Sequence, residues 1–270
     1  MKKFHRLSIA VILLLTFSAC SNTRKIDSDQ TTFQDVLFLQ DYSIKYYFNE
    51  PVTSLMKVVS DRNGYIQILS SKGLLRPRDG QFLFPGTLVK DVQDRQTSDK
   101  KIEGIGTYQN QLVYIDDKAV LSNGWAGKLY SRHNMPGARI FAGGKEFSFL
   151  ISDGKNLIFL KDSEKLWEGS LSGKEIKNIK FDEQNNLFWI LGKESISTFS
   201  PDNRKLEKVL TVPNITCIEP LSDKLIVGTS DGYFEIDSET KKQIGDVHKK
   251  MPWTNLTAIS EIDGKIWFGS

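Results

Sequence analysis

Cysteine is nearly missing from this chain: of 270 residues only Cys20 and Cys217 carry a thiol. No disulfide framework can hold such a fold, so its stability has to come from a packed core. Histidine is as sparse, with His5, His133 and His248 far apart. No Cys/His spacing fits a metal, and no glycine-rich loop precedes a helix, so neither metal nor cofactor is expected. A dominant charge is lacking too, with 36 Lys and Arg against 33 Asp and Glu. The basic residues are dispersed among the acids, which excludes the clustered basic and aromatic face that nucleic acids require. Helical periodicity is also absent, because nowhere past the first twenty residues do apolar positions hold a 3.6 period.

What is present begins at the N-terminus. Lys2, Lys3 and Arg6 precede an apolar run from Leu7 to Phe17, followed by Ser18-Ala19-Cys20. This is the layout of a secretory signal, too short to remain as a spanning helix. The stretch "TFSAC" resembles the lipobox of bacterial lipoproteins. That resemblance implies cleavage after Ala19 and acylation of Cys20, with enough acyl chains for stable attachment to membrane lipid. An ordinary signal peptide cut near Ala19, with Cys20 incidental, is the alternative. Ser21 in place of Asp directs the expectation to the outer membrane, facing the periplasm. Residues 20–32 are polar and aperiodic and read as a flexible tether.

From residue 33 to 270 the chain repeats itself. An apolar residue after a polar turn recurs at Ile66, Leu112, Phe147, Leu187, Leu225 and Ile266, at separations of 46, 35, 40, 38 and 41 residues. Each unit has an apolar lead-in, a turn rich in Asp, Asn or Gly, a run of β-formers, a second turn and further strand-like residues. Four short antiparallel strands per forty residues describe a blade of an all-β propeller. Six such blades are visible, and the last breaks off after its inner hairpin. The runs Val36–Leu39 and Ile44–Phe48 are expected to complete the last blade, or else the chain is the front piece of a longer propeller.

"PVTSLMKVVSDRNGYIQILSSKGLLRPRDGQF" (51–82), "PNITCIEPLSDKLIVGTSDGYFEID" (213–237) and "TNLTAISEIDGKIWFGS" (254–270) resemble the two-component-regulator propeller repeats of bacterial extracytoplasmic sensors. The resemblance runs from about residue 51 to the end and implies a ligand-sensing or ligand-binding module. It departs from the family pattern in that the Trp following the turn occurs only as Trp267.

Strand alternation places the turns between second and third strands on the same side as the connections between blades. On that side fall Asp116, Asp117, Asp153, Glu194 and Asp231, with Arg132, His133 and Trp253 from the connections. Carboxylates, a guanidinium, an imidazole and an open indole suit recognition of a sugar or peptide. The plainer reading is that Asp in a tight turn bonds its own backbone. Trp125, Trp167 and Trp189 read as packing residues, and Cys217, aligned with Ala258, as the filler of a small slot. No catalytic constellation appears. The expected function is a lipid-anchored, non-catalytic binding or sensing module for an oligosaccharide, a peptide or a partner domain. Its alternatives are the non-catalytic front of a carbohydrate-active enzyme and an outer-membrane scaffold.

Overall fold

Runs of β-branched and aromatic residues bounded by Asp, Asn and Gly become short strands, because the branched side chains suit a pleated surface and the polar residues close the turns. The structure, a computed structural model, describes residues 43–48, 55–60, 66–71, 73–77, 81–84, 87–94, 102–109, 111–116, 120–123, 129–133, 135–171, 175–262 and 264–270. Cys20, the tether, Val36–Leu39, Asp117 and Trp125 lie outside them. All the described residues belong to one compact unit, Gln40–Ser270.

The first sheet contains β1 (Ser43–Phe48), β2 (Leu55–Ser60), β3 (Ile66–Ser70), β4 (Gly73–Pro77), β5 (Gln81–Phe84) and β6 (Thr87–Asp94). Its order is β1-β6-β4-β3-β2, with β5 also on β6. The second sheet comprises β7 (Ile102–Tyr108), β8 (Gln111–Asp116), β9 (Val120–Asn123) and β10 (Leu129–Arg132). The third comprises β11 (Ile140–Gly143), β12 (Ser148–Ser152), β13 (Asn156–Lys161) and β14 (Glu164–Ser170). The fourth comprises β15 (Ile176–Asp182), β16 (Leu187–Gly192), β17 (Ser195–Ser200) and β18 (Lys205–Thr211). The fifth comprises β19 (Ile215–Pro220), β20 (Lys224–Thr229), β21 (Gly232–Asp237) and β22 (Gln243–His248), and the sixth holds β23 (Ala258–Ile262) and β24 (Lys265–Gly269). The second to fifth sheets are four-stranded antiparallel meanders in chain order, and no helix occurs among the described residues.

Successive sheets meet through one edge strand each, β2 in the first sheet and the first strand in the others: β2 touches β7, β7 touches β11, β11 touches β15, β15 touches β19, and β19 touches β23. These edge strands are thus innermost and, in the second to fifth sheets, the fourth strands outermost. Between the sheets lie layered cores. Leu112 and Tyr114 of β8 pack with Leu69 and Leu74 of the first sheet, while Val113 and Ile115 pack with Phe149 and Ile151 of the third. Leu150, Leu157 and Phe159 face Phe188, Ile190 and Phe199 of the fourth sheet. Leu187, Trp189 and Leu191 turn the other way, onto Ile218, Val227 and Phe234 of the fifth. Every residue of β16 is consequently buried, which accounts for the unbroken apolar run "LFWILG" in place of simple alternation. Trp189 is fully buried and Trp167 packs half-buried against Phe199, 4.6 Å between ring centroids, both as expected for packing residues.

Two expectations change. The run around Ile44–Phe48 does not complete the last sheet. It forms β1, which pairs in parallel with β6 in the first sheet, from Ser43↔Thr87 to Phe48↔Val92. The eight-residue β6 carries β5 and β4 on one side, and a long bare edge on the other invites a further strand. Phe147, aligned with the first apolar residue of each second strand, sits in the turn before β12 with φ 54 and its ring exposed. Its N–H donates to the Tyr108 hydroxyl of the neighbouring sheet (3.0 Å), while the Ser148 N–H closes the turn onto the Lys145 carbonyl (3.0 Å).

Candidate functional site

Antiparallel meanders bring the start of each first strand, the end of each second strand and the start of each third strand to one end of the sheets. At that end, where the third and fourth sheets adjoin, a depression of about 400 Å³ is lined by Pro136, Gly137, Arg139, Asp153, Gly154, Lys155 and Glu175. Arg139 leads into β11, and its backbone N–H donates to the Ser152 carbonyl (3.0 Å), fixing it beside the β12–β13 turn. Glu175 leads into β15, and the next residue, Ile176, donates its N–H to the Gly154 carbonyl (2.6 Å), so the two sheets are joined at the floor of the depression. Gly154 has φ +102, and a Cβ there would meet the Arg139 guanidinium, so a glycine at this position lets the cation lie over the backbone.

Charge in the depression is mixed. Arg139 Nη2 stands 3.9 Å from Glu175 Oε1, with both side chains well exposed. Asp153 Oδ1 accepts the backbone N–H groups of Lys155 and Asn156 (each 2.7 Å), and Oδ2 accepts from Asn156 Nδ2 (2.7 Å). Burial pushes the Asp153 carboxyl up, but the donors from Asn156 and Lys155, with the charge of Arg139, outweigh it and hold the group below the usual carboxylate range. It stays ionised, and much of its acceptor capacity serves its own turn. Two cations and two carboxylates in a shallow cleft can orient hydroxyls, amides and charged groups. They do not assemble a nucleophile with a base. Among the described residues no three His, Cys, Asp or Glu side chains gather as metal ligands.

Of the residues singled out in the sequence, Asp153 alone lines this depression. Asp116 is only 5% exposed, where β8 runs on through it opposite Ile102 of β7, and it has interactions of its own there. Asp231 is exposed in the β20–β21 turn, where its N–H donates to Thr229 Oγ1 (3.1 Å). Trp253 is 59% exposed on the connection from β22 to β23, at the same end of the sheets. Arg132 closes β10, and His133 follows it half-buried. Glu194 lies exposed between β16 and β17. Sequence reasoning passed over Arg139, Lys155 and Glu175. Their positions beside blade connections were the available signal, although only the packing of the third sheet on the fourth brings them together.

The chain matches no family model and no curated protein. Among solved structures it is similar to the Neurospora crassa Pan2 WD40 domain (TM-score 0.52, 7% identity, 71% of this chain and 64% of that one). It is also similar to the β-propeller domain of Myceliophteria thermophila Cps50 (Swd1), with TM-score 0.51 and 13% identity over 64% of this chain and 62% of that one. The fold is that of a β-propeller. A further similar structure is the extracellular domain of BT4673 from B. thetaiotaomicron, assigned as a one component system (TM-score 0.45, 13% identity, 83% of this chain). The chain spans 38% of that domain's length.

Proposed function

We propose that this protein is a non-catalytic propeller module that binds a polar ligand, an oligosaccharide or a peptide, in the depression between its third and fourth blades. The observation that carries this reading is the convergence of Arg139, Asp153, Lys155 and Glu175, from three separate segments, around one cleft. Both charge signs within reach of one ligand supply orientation, and ordered hydrogen bonding supplies specificity. The sequence features at 1–20 support secretion and attachment to outer-membrane lipid through Cys20, facing the periplasm. The repeats at 51–82, 213–237 and 254–270 support kinship with the two-component-regulator propellers, and thus a sensing role. We read six blades, the sixth represented by its inner hairpin.

Calorimetry against panels of cell-wall glycans and peptides tests the proposal. A saturable heat that disappears in Arg139→Ala and weakens in Glu175→Gln is the expected result. Silence across both panels, or binding indifferent to Arg139, would overturn it.

A further inference from the structure

We propose that the group bound in the depression between the third and fourth sheets is a zwitterion, an α-amino acid moiety with its ammonium and carboxylate on one carbon. Arg139 and Lys155 take the carboxylate, and Glu175 takes the ammonium. This inference rests on the cleft reading above and narrows the ligand that the cleft accepts.

The four charged side chains that line the depression are not equally available. Asp153 receives three hydrogen bonds of 2.7 Å, from the backbone of Lys155 and Asn156 and from the Asn156 side chain. It keeps its charge but has little bonding capacity left for a ligand. Arg139 and Glu175 are differently placed. Nη2 and Oε1 stand 3.9 Å apart, too far for a hydrogen bond, and the two side chains are 43% and 60% exposed. Neither side chain makes a hydrogen bond among the described residues, and Lys155 Nζ makes neither a hydrogen bond nor an ion pair there. The guanidinium lies over the Gly154 backbone, where a Cβ would displace it, so its position beside Glu175 is set by the β12–β13 turn. Two donor cations and one acceptor carboxylate therefore remain open to a ligand.

Charge balance decides what that ligand is. Arg139 and Lys155 offset Asp153 and Glu175, so the lining as a whole is neutral. A simple anion on Arg139 lies next to Glu175, and a simple cation on Glu175 lies next to Arg139; each meets a like charge at short range. A phosphate, with nearly two negative charges, is worse placed still. A ligand that brings both signs on neighbouring atoms meets an opposite charge at each. The guanidinium fork matches a carboxylate, and an ammonium supplies donors to Glu175. A neutral sugar ring finds no aromatic face, because no aromatic side chain lines the depression. An ordinary linear peptide carries its terminal charges at opposite ends and cannot present both here. The group comes from a free amino acid, or from a branched peptide whose side chain ends in one.

Ligand-observed NMR titration of the full chain with alanine, alaninamide and N-acetylalanine tests the proposal. Alaninamide lacks the anion and N-acetylalanine the cation. The expected result is saturable binding of alanine, with each derivative about tenfold weaker or more, the loss of one charge-assisted contact. Arg139→Ala should abolish binding of alanine. Glu175→Gln should narrow the gap between alanine and N-acetylalanine, a change of preference that a misfolded variant would not show. γ-Glutamyl-alaninamide presents the same group on a peptide: its binding identifies a peptide-borne ligand and its exclusion a free amino acid, and either supports the site when alanine binds. Equal affinity for alanine and its two derivatives, or no response to any of them, would overturn the inference. If a glycan or another peptide then still binds through Arg139, the cleft reading stands; if nothing does, both fall.

Discussion

The fourth and sixth sheets are built from similar strands, "LFWILG" and "KIWFG", yet their fates differ. Every side chain of β16 is buried, whereas β24 is half-exposed and its partner β23 leaves Ile262 53% exposed. At the other end of the array, Met56 and Val58 of β2 are 55% and 59% exposed. The difference lies in the neighbours. The fourth sheet has the third on one face and the fifth on the other, so the same kind of residue contributes to a core in one place and stands in water in another. A blade alone is not a unit of stability, and the layer between two blades is.

That contrast is broken most directly at Trp189. Trp189→Ala should cost about 3–5 kcal/mol, since a fully enclosed indole leaves a cavity that its surroundings fill poorly. Trp267→Ala, in the half-covered sixth sheet, should cost distinctly less; equal losses in chemical denaturation would mean the two sheets are equally supported. Asp182→Ala comes next, at about 1–3 kcal/mol for donors stripped of a buried acceptor. Asp182 is 3% exposed and accepts from Asn185 N (3.0 Å), Asn185 Nδ2 (2.9 Å) and Trp189 Nε1 (3.4 Å). A smaller effect, dependent on pH, is expected at Lys57. Its folded pKa of about 8 lies below its ordinary value of 10.5, so between these values the unfolded chain holds more protons and stability rises with pH. The melting temperature of the wild type should therefore gain on that of Lys57→Met from pH 8 to pH 10.5, and parallel curves would contradict a lowered pKa at Lys57. Smallest of all is Ile262→Ser, within about 0.5 kcal/mol, because the side chain is already in water.

The strands and their grouping were legible in the sequence because each repeat combines apolar runs with turn residues that act locally. Leu187 and Leu225 fall at or next to the start of their second strands, as the repeat spacing implied. Phe147 did not: it lies in the turn before β12 at positive φ, its N–H bonded to Tyr108 of a different sheet. The parallel pairing of β1 was illegible for a related reason: an edge strand chooses among open edges, and local sequence does not rank them. Asp153 lines the depression and bonds its own turn, the bonding its residue type suggested. Arg139 and Glu175 join it only through sheet-to-sheet packing. Lys180 and Glu219 pair across 39 residues of chain, and no local pattern announces that contact.

Burial on both faces has a consequence for how the chain finds its alignment. Where one side of a strand meets water, sliding it by a single position is penalised at once, because greasy and wet sides trade places. In β16 that safeguard is gone, since a slip would exchange one oily neighbour for another. The hairpins instead carry molecular pins at their bends. Asp182 grips Asn185, Asp153 grips Asn156, and Asp237 grips Thr240 through both its N–H (2.6 Å) and its hydroxyl (2.8 Å). Loosening these pins should let hairpins shift out of step while every core residue stays covered, a defect that total buried area would fail to reveal.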